Sequence, residues 1–293
     1  MTEIKIMVSR HSAFYSPVIA LLAKGFLDKE GLSGTYQVLP AGASITEEVA
    51  SGRMEVGQAA VSLSWRELEK AEKPSVAQFA QINTFDGFFI AAREPDSNFT
   101  WDKLKNGKFM YVHGGQPEAM LRYGAFKMGL DLGEVQGINK TTTKDMVDSW
   151  RKREGDFFHE QGSYPQQLEH EGCAHIVASV GDAVGPVAFS SLICRWEWLK
   201  TDEAKRFSNA HRASREWVNT SDPEEIAQAE ASFFPEHSAD AVAKTIRTYQ
   251  QMGTWGGDIA IPKNLYENAL NVFKHSKLIS QRHPYEKVVV PPP

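Results

Sequence analysis

Two short glycine-containing loops have the composition of sites that bind an anion or another hydrogen-bond acceptor. Gly42-Ala43-Ser44 and Gly114-Gly115-Gln116 each lie between a strand-like run and a helical run. Glycine lets the backbone approach a ligand closely, and the free N–H groups at a helix start favour negative or hydrogen-bond-accepting groups. Because both loops lie at strand-to-helix transitions, they predict one ligand-binding site to which both contribute.

Polar and aromatic residues follow several other strand-like runs and are candidates for the same site. Flat apolar walls with a few placed polar groups suit a small aromatic or heterocyclic ligand. The alternatives are that the rings are core and that the histidines are hydrogen-bonded structural residues. Besides the two glycine loops, the candidate ligand-binding residues are His11, Phe14, Tyr15, Ser62, Ser64, Phe85, Asp86, His113, His159 and Glu160.

The chain lacks the motifs of several common catalytic and metal sites. It contains no Gly-x-Ser-x-Gly elbow, no Gly-x-x-x-x-Gly-Lys phosphate loop and no zinc-protease motif. The run from His170 to His175 holds two histidines and a cysteine, but without the paired spacing of structural zinc sites. We therefore expect no catalytic residue, no bound metal and no cofactor.

The elements that must position these residues alternate between strand-like and helical runs, which is typical of a mainly parallel α/β sheet. Ser44 to Glu47 and Thr142 to Asp145 resemble capping boxes, and Ser221 to Glu224 is a strong helix start. From Trp196 onward the pattern predicts helices. The predicted strands are 4–9, 35–39, 56–61, 76–82, 88–92, 108–112, 155–158 and 176–179.

The segment from Phe14 to Leu32, FYSPVIALLAKGFLDKEGL, carries a family resemblance. Pro17 suits a first helical turn, and Gly25 and Gly31 can take the left-handed conformation that ends a helix. This segment resembles the first motif of the type II periplasmic binding protein superfamily, in the branch that binds pyrimidine precursors, sulfonates and nitrate. Similar phrases follow in the family's order at Ala50 to Gly57, Trp101 to Lys108 and Gly185 to Ser190.

The resemblance covers most of the chain and implies a two-lobed α/β fold of the periplasmic binding protein type II, with an interlobe cleft. Residues 1–88 and 190–293 would form lobe I and residues 89–189 lobe II, with crossings near Asp86 to Arg93 and Val184 to Ser191. Such a protein captures a small organic ligand, heteroaromatic or anionic, by hinge closure. Its expected partners are that small-molecule ligand and an ABC-transporter permease.

Glu160 is the sharpest single candidate under this resemblance. In pyrimidine-precursor binders, a carboxylate after the second-lobe strand hydrogen-bonds the amine and nitrogen of the ring, and the run from Gly155 to Glu160 puts Glu160 in that place. A buried carboxylate needs such donors to offset its desolvation. The alternative is a solvated loop residue. As a ligand acceptor, Glu160 is expected to lack protein partners in the empty protein.

An enzyme on the same fold is the alternative function. It would be a lyase or desulfinase that acts on a small aromatic substrate, with His11, His113 or Glu160 as acid or base. The related synthase of the thiamin pyrimidine has a lysine and a histidine where this chain has Ala59 and Leu63, and its cysteine-rich motif is absent here. Desulfinases of this fold use a cysteine nucleophile, for which Cys173 and Cys194 are the only candidates.

Composition indicates an ordinary globular protein. Its 293 residues suggest two domains, and a net charge of −5 without a basic run disfavours nucleic-acid and anionic-membrane roles. The apolar runs are too short for a membrane span, and Met1 to Lys5 carry no hydrophobic signal region. We therefore expect a soluble protein with reduced thiols, periplasmic if Met1 replaces a signal peptide and otherwise cytoplasmic.

Overall fold

The computed structural model describes residues 1–293 and contains two five-stranded sheets with helices around them, which confirms the predicted α/β fold class. In chain order, strands β1 to β10 span Thr2–Val8, Leu32–Val38, Val56–Ala59, Ala77–Asn83, Phe88–Ala92, Lys108–Tyr111, Gln136–Asn139, Phe157–Gln161, His175–Ser179 and Ser190–Cys194. Helices α1 to α13 span Ser16–Ala23, Phe26–Lys29, Ile45–Ala50, Val61–Leu68, Gly115–Lys127, Thr143–Arg151, Tyr164–His170, Val180–Val184, Asp202–Thr220, Pro223–Ala229, Ala239–Gln251, Lys263–His275 and Tyr285–Val288.

The first sheet combines strands from both ends of the chain. Its strand order is β2-β1-β3-β10-β4, with β1 parallel to β2 and β3. Strand β10 lies between β3 and β4 and runs antiparallel to both. The backbone N–H of Ser190 in β10 donates to the side chain of Asn83 in β4, 107 residues earlier in sequence. This sheet is therefore complete only when the chain has returned to it.

The second sheet is built from one continuous stretch of chain. Its strand order is β7-β6-β8-β5-β9, with β6 parallel to β7 and β8 and with β5 antiparallel to β8 and β9. The chain leaves the first sheet after Asn83, enters the second at Phe88, leaves it after Ser179 and re-enters the first at Ser190. The lobe bounds given above, 1–88 with 190–293 and 89–189, stay a proposal.

Helix starts and stops follow the local sequence signals. Gly25 and Gly31 have φ angles of 68° and 69° and interrupt the helical segment after α1 and α2, as predicted. Ser44 and Thr142 cap α3 and α6 through their side-chain oxygens, and Asp222 caps α10, which begins at Pro223. Two strands were not predicted, the short and polar β7 and the serine-led β10. The local signals therefore predict the helix starts after β2 and β7 correctly, but they miss one strand of each sheet.

Aromatic side chains pack tightly where the chain crosses between the sheets. The Phe14 ring centroid lies 5.4 Å from that of Phe189 and 5.0 Å from that of Tyr249. Gly87 permits this packing, because a Cβ atom there would lie 2.4 Å from Cδ2 of Phe14. At the chain end, Val289 pairs in parallel with Gln78 of β4. One apolar core therefore contains residues of both sheets and joins them where the chain crosses.

Candidate functional site

A cavity of about 260 Å³ lies between the two sheets. The carboxyl ends of β1, β3 and β8 meet there, together with the starts of the antiparallel strands β5 and β10. In open α/β sheets, ligands bind outside the carboxyl ends of the strands. The cavity is lined by Ser9, Arg10, Tyr15, Gln58, Ala59, Ala60, Ser62, Leu63, Arg66, Phe88, Gly115, Gln116, Pro117, Gln161, Phe189 and Ser190.

Two helices present their N-terminal ends to this cavity, one from each side. Helix α4 begins after Ala60 and helix α5 begins after Gly114, and neither of these two residues supplies a side-chain cap. At the start of α5, the Glu118 carboxylate accepts the backbone N–H of Gly114. The first N–H groups of a helix have no intrahelical partner and carry a partial positive charge. The start of α4, and the N–H groups of Gly115 and Gln116 at the start of α5, therefore favour an anionic or hydrogen-bond-accepting group in the cavity.

Two arginines, Arg10 and Arg66, line the cavity, and no aspartate or glutamate does. Arg66 lies in α4, is exposed, and makes no ion pair or side-chain hydrogen bond with the rest of the protein. Its guanidinium is therefore free to bind a ligand. Together with the two helix ends, Arg66 makes the cavity electropositive.

A chain of hydrogen bonds fixes the wall on the first-sheet side. Ser9 donates to Oε1 of Gln58 through its backbone N–H at 2.9 Å and its hydroxyl at 2.6 Å. The amide of Gln58 then donates to Oγ of Ser190 at 3.1 Å, and the Tyr15 hydroxyl lies 3.4 Å from the same oxygen. These polar groups hold one another in place, so this wall needs little rearrangement to receive a ligand.

Gln161, on the second-sheet side, leaves an acceptor unused. The residue is 2% exposed, and its Oε1 has no hydrogen-bond partner. Buried polar atoms in native proteins are almost always paired, so an unpaired acceptor in a cavity wall indicates a donor supplied by a ligand or by water. Gln116, at the start of α5, already has a partner, because its amide donates to the carbonyl of Phe189 at 2.9 Å.

Glu160 has a protein partner that the sequence did not reveal. Its side chain is 1% exposed and forms an ion pair with Nη1 of Arg10. The same oxygen, Oε1, accepts the backbone N–H of Gln161 at 2.8 Å, while Oε2 has no partner. The expectation that this carboxylate lacks protein partners in the empty protein is therefore wrong. Glu160 lies behind the cavity wall, and a direct contact with a ligand stays a prediction.

His159 is a buried neutral imidazole beside the cavity. Its ring stacks on Phe88 with centroids 4.5 Å apart, and neither ring nitrogen has a partner. Burial lowers the pKa of His159 to about 3, with a further contribution from the positive charge of Arg10. The ring is therefore uncharged near pH 7 and supports the Phe88 face that lines the cavity.

Asp86 is buried in the first crossing segment, away from the cavity lining. Its Oδ1 accepts the backbone N–H of Phe88 at 2.6 Å, and its Oδ2 has no partner. Burial raises the pKa of Asp86 to about 8, against the smaller lowering effect of the Phe88 hydrogen bond. The carboxyl group is therefore largely protonated at neutral pH and belongs to the packing of the crossing segment.

His11 is held by residues on the side of the first sheet. Its Nδ1 lies 2.9 Å from the Tyr36 hydroxyl, its Nε2 lies 2.7 Å from the carbonyl of Phe233, and its ring stacks on Phe234. Burial lowers the pKa of His11. These contacts match the structural alternative for this histidine and leave no ring nitrogen free for a ligand.

The structure brings only part of the predicted set together. Four predicted residues line the cavity: Tyr15, Ser62, Gly115 and Gln116. Five are buried outside its lining: Phe14, Ser64, Asp86, His159 and Glu160. The remaining seven lie elsewhere, half-buried or on the surface: His11, Gly42, Ala43, Ser44, Phe85, His113 and Gly114. As ligand contacts, all sixteen stay predictions.

Several cavity residues were missed by sequence reasoning. Arg10 is the second residue after β1, so its position in the loop after that strand is a usable signal. Arg66 lies one turn after Ser62 on the same helix, which is also a usable signal. Gln58 and Gln161 lie inside strands, where a single polar residue gives no pattern.

Neither thiol lies at the cavity. Cys194 is buried in β10, and Cys173 lies beside Trp150, whose indole N–H donates to the carbonyl of Cys173 at 2.9 Å. Burial raises the pKa of both thiols. Neither is placed or activated to attack a ligand held in the cavity.

A wider groove of about 840 Å³ lies outside the strand ends, between α5 and the end of α12. Its charged side chains are mixed in sign: Arg122 pairs with Glu118, and Lys277 and Asp131 lie nearby. None of the residues that line this groove lies in a strand of either sheet.

None of the helices has the length and apolar character needed to cross a membrane.

Comparison with known proteins gives one relative in sequence. No model of a known protein family matches the chain. A putative binding protein, YtlA of Bacillus subtilis (strain 168), is 25% identical over 296 residues, and the match covers 99% of this chain and 88% of that protein. The match spans the whole chain, but 25% identity does not identify the ligand.

Solved structures are similar over most of the chain. The ligand-binding component of an ABC-type import system from Staphylococcus aureus, with zinc bound, has a TM-score of 0.77 and 15% identity, covering 99% of this chain and 97% of that one. The alkanesulfonate-binding protein SsuA from Xanthomonas axonopodis pv. citri, bound to MOPS, has a TM-score of 0.75 and 12% identity, covering 99% of each. The nitrate-binding protein NrtA from Synechocystis has a TM-score of 0.66 and 15% identity, covering 91% of this chain and 75% of that one. The predicted periplasmic binding protein fold is confirmed.

Proposed function

We propose that this chain, which has the periplasmic binding protein fold, is a solute-binding protein that captures a small organic anion in the cavity between its two sheets. The observation that carries the proposal is the cavity itself. Residues of both sheets and Phe189 of the second crossing segment line it, and it holds two arginines and two helix starts but no lining carboxylate. A ligand there touches both halves at once, as capture by closure requires.

The shape and chemistry of the walls narrow the ligand. Tyr15, Phe88 and Phe189 supply apolar faces, and the volume of about 260 Å³ lies just below the usual range for ligand pockets. Arg66 and the helix starts suit a sulfonate, carboxylate or similar group, while the free acceptor of Gln161 suits a donor on the ligand. The likeness to proteins named for alkanesulfonate and nitrate binding supports an anion.

We propose that the two halves of the protein close on the ligand by bending at the two crossing segments. The halves already touch through the Arg10–Glu160 ion pair, through the hydroxyl of Ser12 that donates to the carbonyl of Gly162, and through Tyr249. The Tyr249 hydroxyl donates to the carbonyl of Gly87 at 2.7 Å and accepts the N–H of Gly162 at 3.0 Å. An ABC-transporter permease and a periplasmic location complete the proposal, as the named import component suggests.

The first experiment identifies the ligand and tests for turnover. Native mass spectrometry of the purified protein names any anion carried through purification, and ethanesulfonate, benzenesulfonate and nitrate serve as probes in calorimetry. A binding protein returns the ligand unchanged after long incubation. A chemically altered product would instead favour the lyase or desulfinase alternative.

The second experiment tests the site through Arg66. Arg66→Ala removes a charge-assisted contact, which is expected to weaken anion binding about ten-fold to a hundred-fold. Lys70→Ala is the matched control, because Lys70 is an exposed cation four residues further on that does not line the cavity. The control is expected to change affinity by less than about two-fold. Equal effects of the two substitutions, or none, would contradict the proposed site.

A further inference from the structure

The ion pair between Arg10 and Glu160 lies directly behind the cavity and joins the two sheets. Arg10 follows β1 in the first sheet, and its side chain is 24% exposed where it lines the cavity. Glu160 lies in β8 of the second sheet with a side chain that is 1% exposed. The two residues therefore join the two sheets at the wall of the cavity.

Further contacts fix the position of the Arg10 guanidinium. Nη1 lies 3.3 Å from the hydroxyl of Thr143, at the first turn of α6, and the guanidinium carbon lies 5.3 Å from the centroid of the Phe88 ring. The Glu160 carboxylate is itself held by the backbone N–H of Gln161 at 2.8 Å. The pair is thus a built feature in which each partner has a second contact.

This pairing changes the charge that a ligand meets. Two guanidinium groups border the cavity, but the positive charge of Arg10 is largely cancelled by a buried carboxylate in contact with it. Buried charges are weakly screened, so Glu160 also repels negative charge placed near Arg10. Only Arg66 and the two helix starts remain to attract an anion.

We propose that Glu160 is a positioning and specificity-determining residue, which holds Arg10 in the cavity wall and neutralises it so that the cleft selects ligands with one negative charge over ligands with two. The inference rests on the proposed function, anion capture in this cavity. It assigns Glu160 a role through Arg10, in place of the direct contact with a ligand that the sequence suggested. The neutralised Arg10 still offers its N–H groups and its flat face.

The test compares two probes that differ by one charged group, ethanesulfonate and 1,2-ethanedisulfonate, by calorimetry at fixed ionic strength. The wild type is expected to bind the monoanion more tightly. In Glu160→Gln the freed charge of Arg10 should raise the affinity for the dianion relative to the monoanion about ten-fold. Glu169→Gln is the matched control, because Glu169 pairs with Lys244 on the surface and does not line the cavity. The control should keep the wild-type ratio.

A double variant guards against the case in which Glu160→Gln does not fold. Arg10→Gln leaves a buried carboxylate unpaired and should weaken binding of both probes, most for the dianion. Arg10→Gln with Glu160→Gln restores neutrality, so the wild-type preference for the monoanion should return. A direct ionic contact between Arg10 and the ligand would not be rescued in this way, and failure of the rescue overturns the proposal.

The outcomes separate the two proposals. If the wild type binds ethanesulfonate and Arg66→Ala weakens it, while Glu160→Gln keeps the wild-type probe ratio, the specificity role of Glu160 is wrong and the proposed function stands. If the wild type binds neither these probes nor any anion recovered by mass spectrometry, the proposed function is wrong and the inference fails with it. A ratio that shifts toward the dianion only in Glu160→Gln supports both.

Discussion

Asp86 is expected to make the stability of the wild-type protein depend on pH. Replacing it by asparagine should remove most of that dependence. Asp86 is 0% exposed, and only its Oδ1 has a partner. In the unfolded chain the carboxyl group ionises near pH 4, whereas burial raises its pKa in the folded protein to about 8. Its contribution to stability is therefore fully present below about pH 4 and is lost progressively as the pH rises to about 8.

The size of the effect follows from the two pKa values. The difference between 3.8 and about 8 corresponds to a ceiling of about 6 kcal/mol, at about 1.4 kcal/mol for each pH unit. Water that enters around an ionised carboxylate lowers this, so we expect a loss of about 2 to 5 kcal/mol between pH 4 and pH 8. Asparagine keeps the acceptor for the N–H of Phe88 and places a donor where the protonated carboxyl has one. Asp86→Asn should therefore match the wild type at low pH.

Urea unfolding at pH 5, 7 and 9 measures this difference. The stability of Asp86→Asn relative to the wild type should grow with each step in pH up to about 8. Glu72→Gln is the control, because Glu72 is exposed and makes no ion pair, and it should follow the wild type at every pH. Parallel curves for Asp86→Asn and the wild type would refute the claim that this carboxyl group is buried and largely protonated. Normal ligand binding by Asp86→Asn would also fit its place outside the cavity lining.

Two further outcomes follow from the packing and from the proposed closure. Arg215 is 1% exposed and donates to four backbone carbonyls, those of Ile82, Gly256, Gly257 and Asp258, so Arg215→Met should lower stability by about 3 to 5 kcal/mol in urea unfolding. The exposed Arg212→Met should cost less than about 1 kcal/mol, and equal costs would contradict the role of the buried guanidinium. Closure on a ligand should reduce the radius of gyration in small-angle scattering, and an unchanged radius with tight binding would count against a hinge.

Local signals in the sequence were enough to predict much of the fold. Helix caps and glycine stops act within a few residues, so Ser44, Gly25 and Gly31 could be interpreted correctly without tertiary information. Strand β7 escaped because Gln136–Asn139 is exposed and has a single apolar residue. Strand β10 escaped because its pairing with β3 and β4 is set by residues far away in sequence.

The candidate site was harder to predict, because its chemistry depends on pairs that are distant in sequence. Loops at strand ends could be identified as a class, and Tyr15, Ser62, Gly115 and Gln116 line the cavity. Which side chains of a loop face the cavity depends on packing across the two sheets. The partner of Glu160 lies 150 residues away, so no local pattern could reveal that its charge is already matched.

The position of β10 between β3 and β4 has a consequence for how this protein is made. Strands β5 to β9 pair only among themselves and are contiguous, so their sheet can assemble as soon as that stretch leaves the ribosome. Strand β4 is buried over all seven residues, and it must wait for β10 to cover one edge. Pairings that close long loops form late and slowly. During synthesis β4 therefore stays without a strand partner until β10 emerges, whereas the second sheet has all its strands earlier.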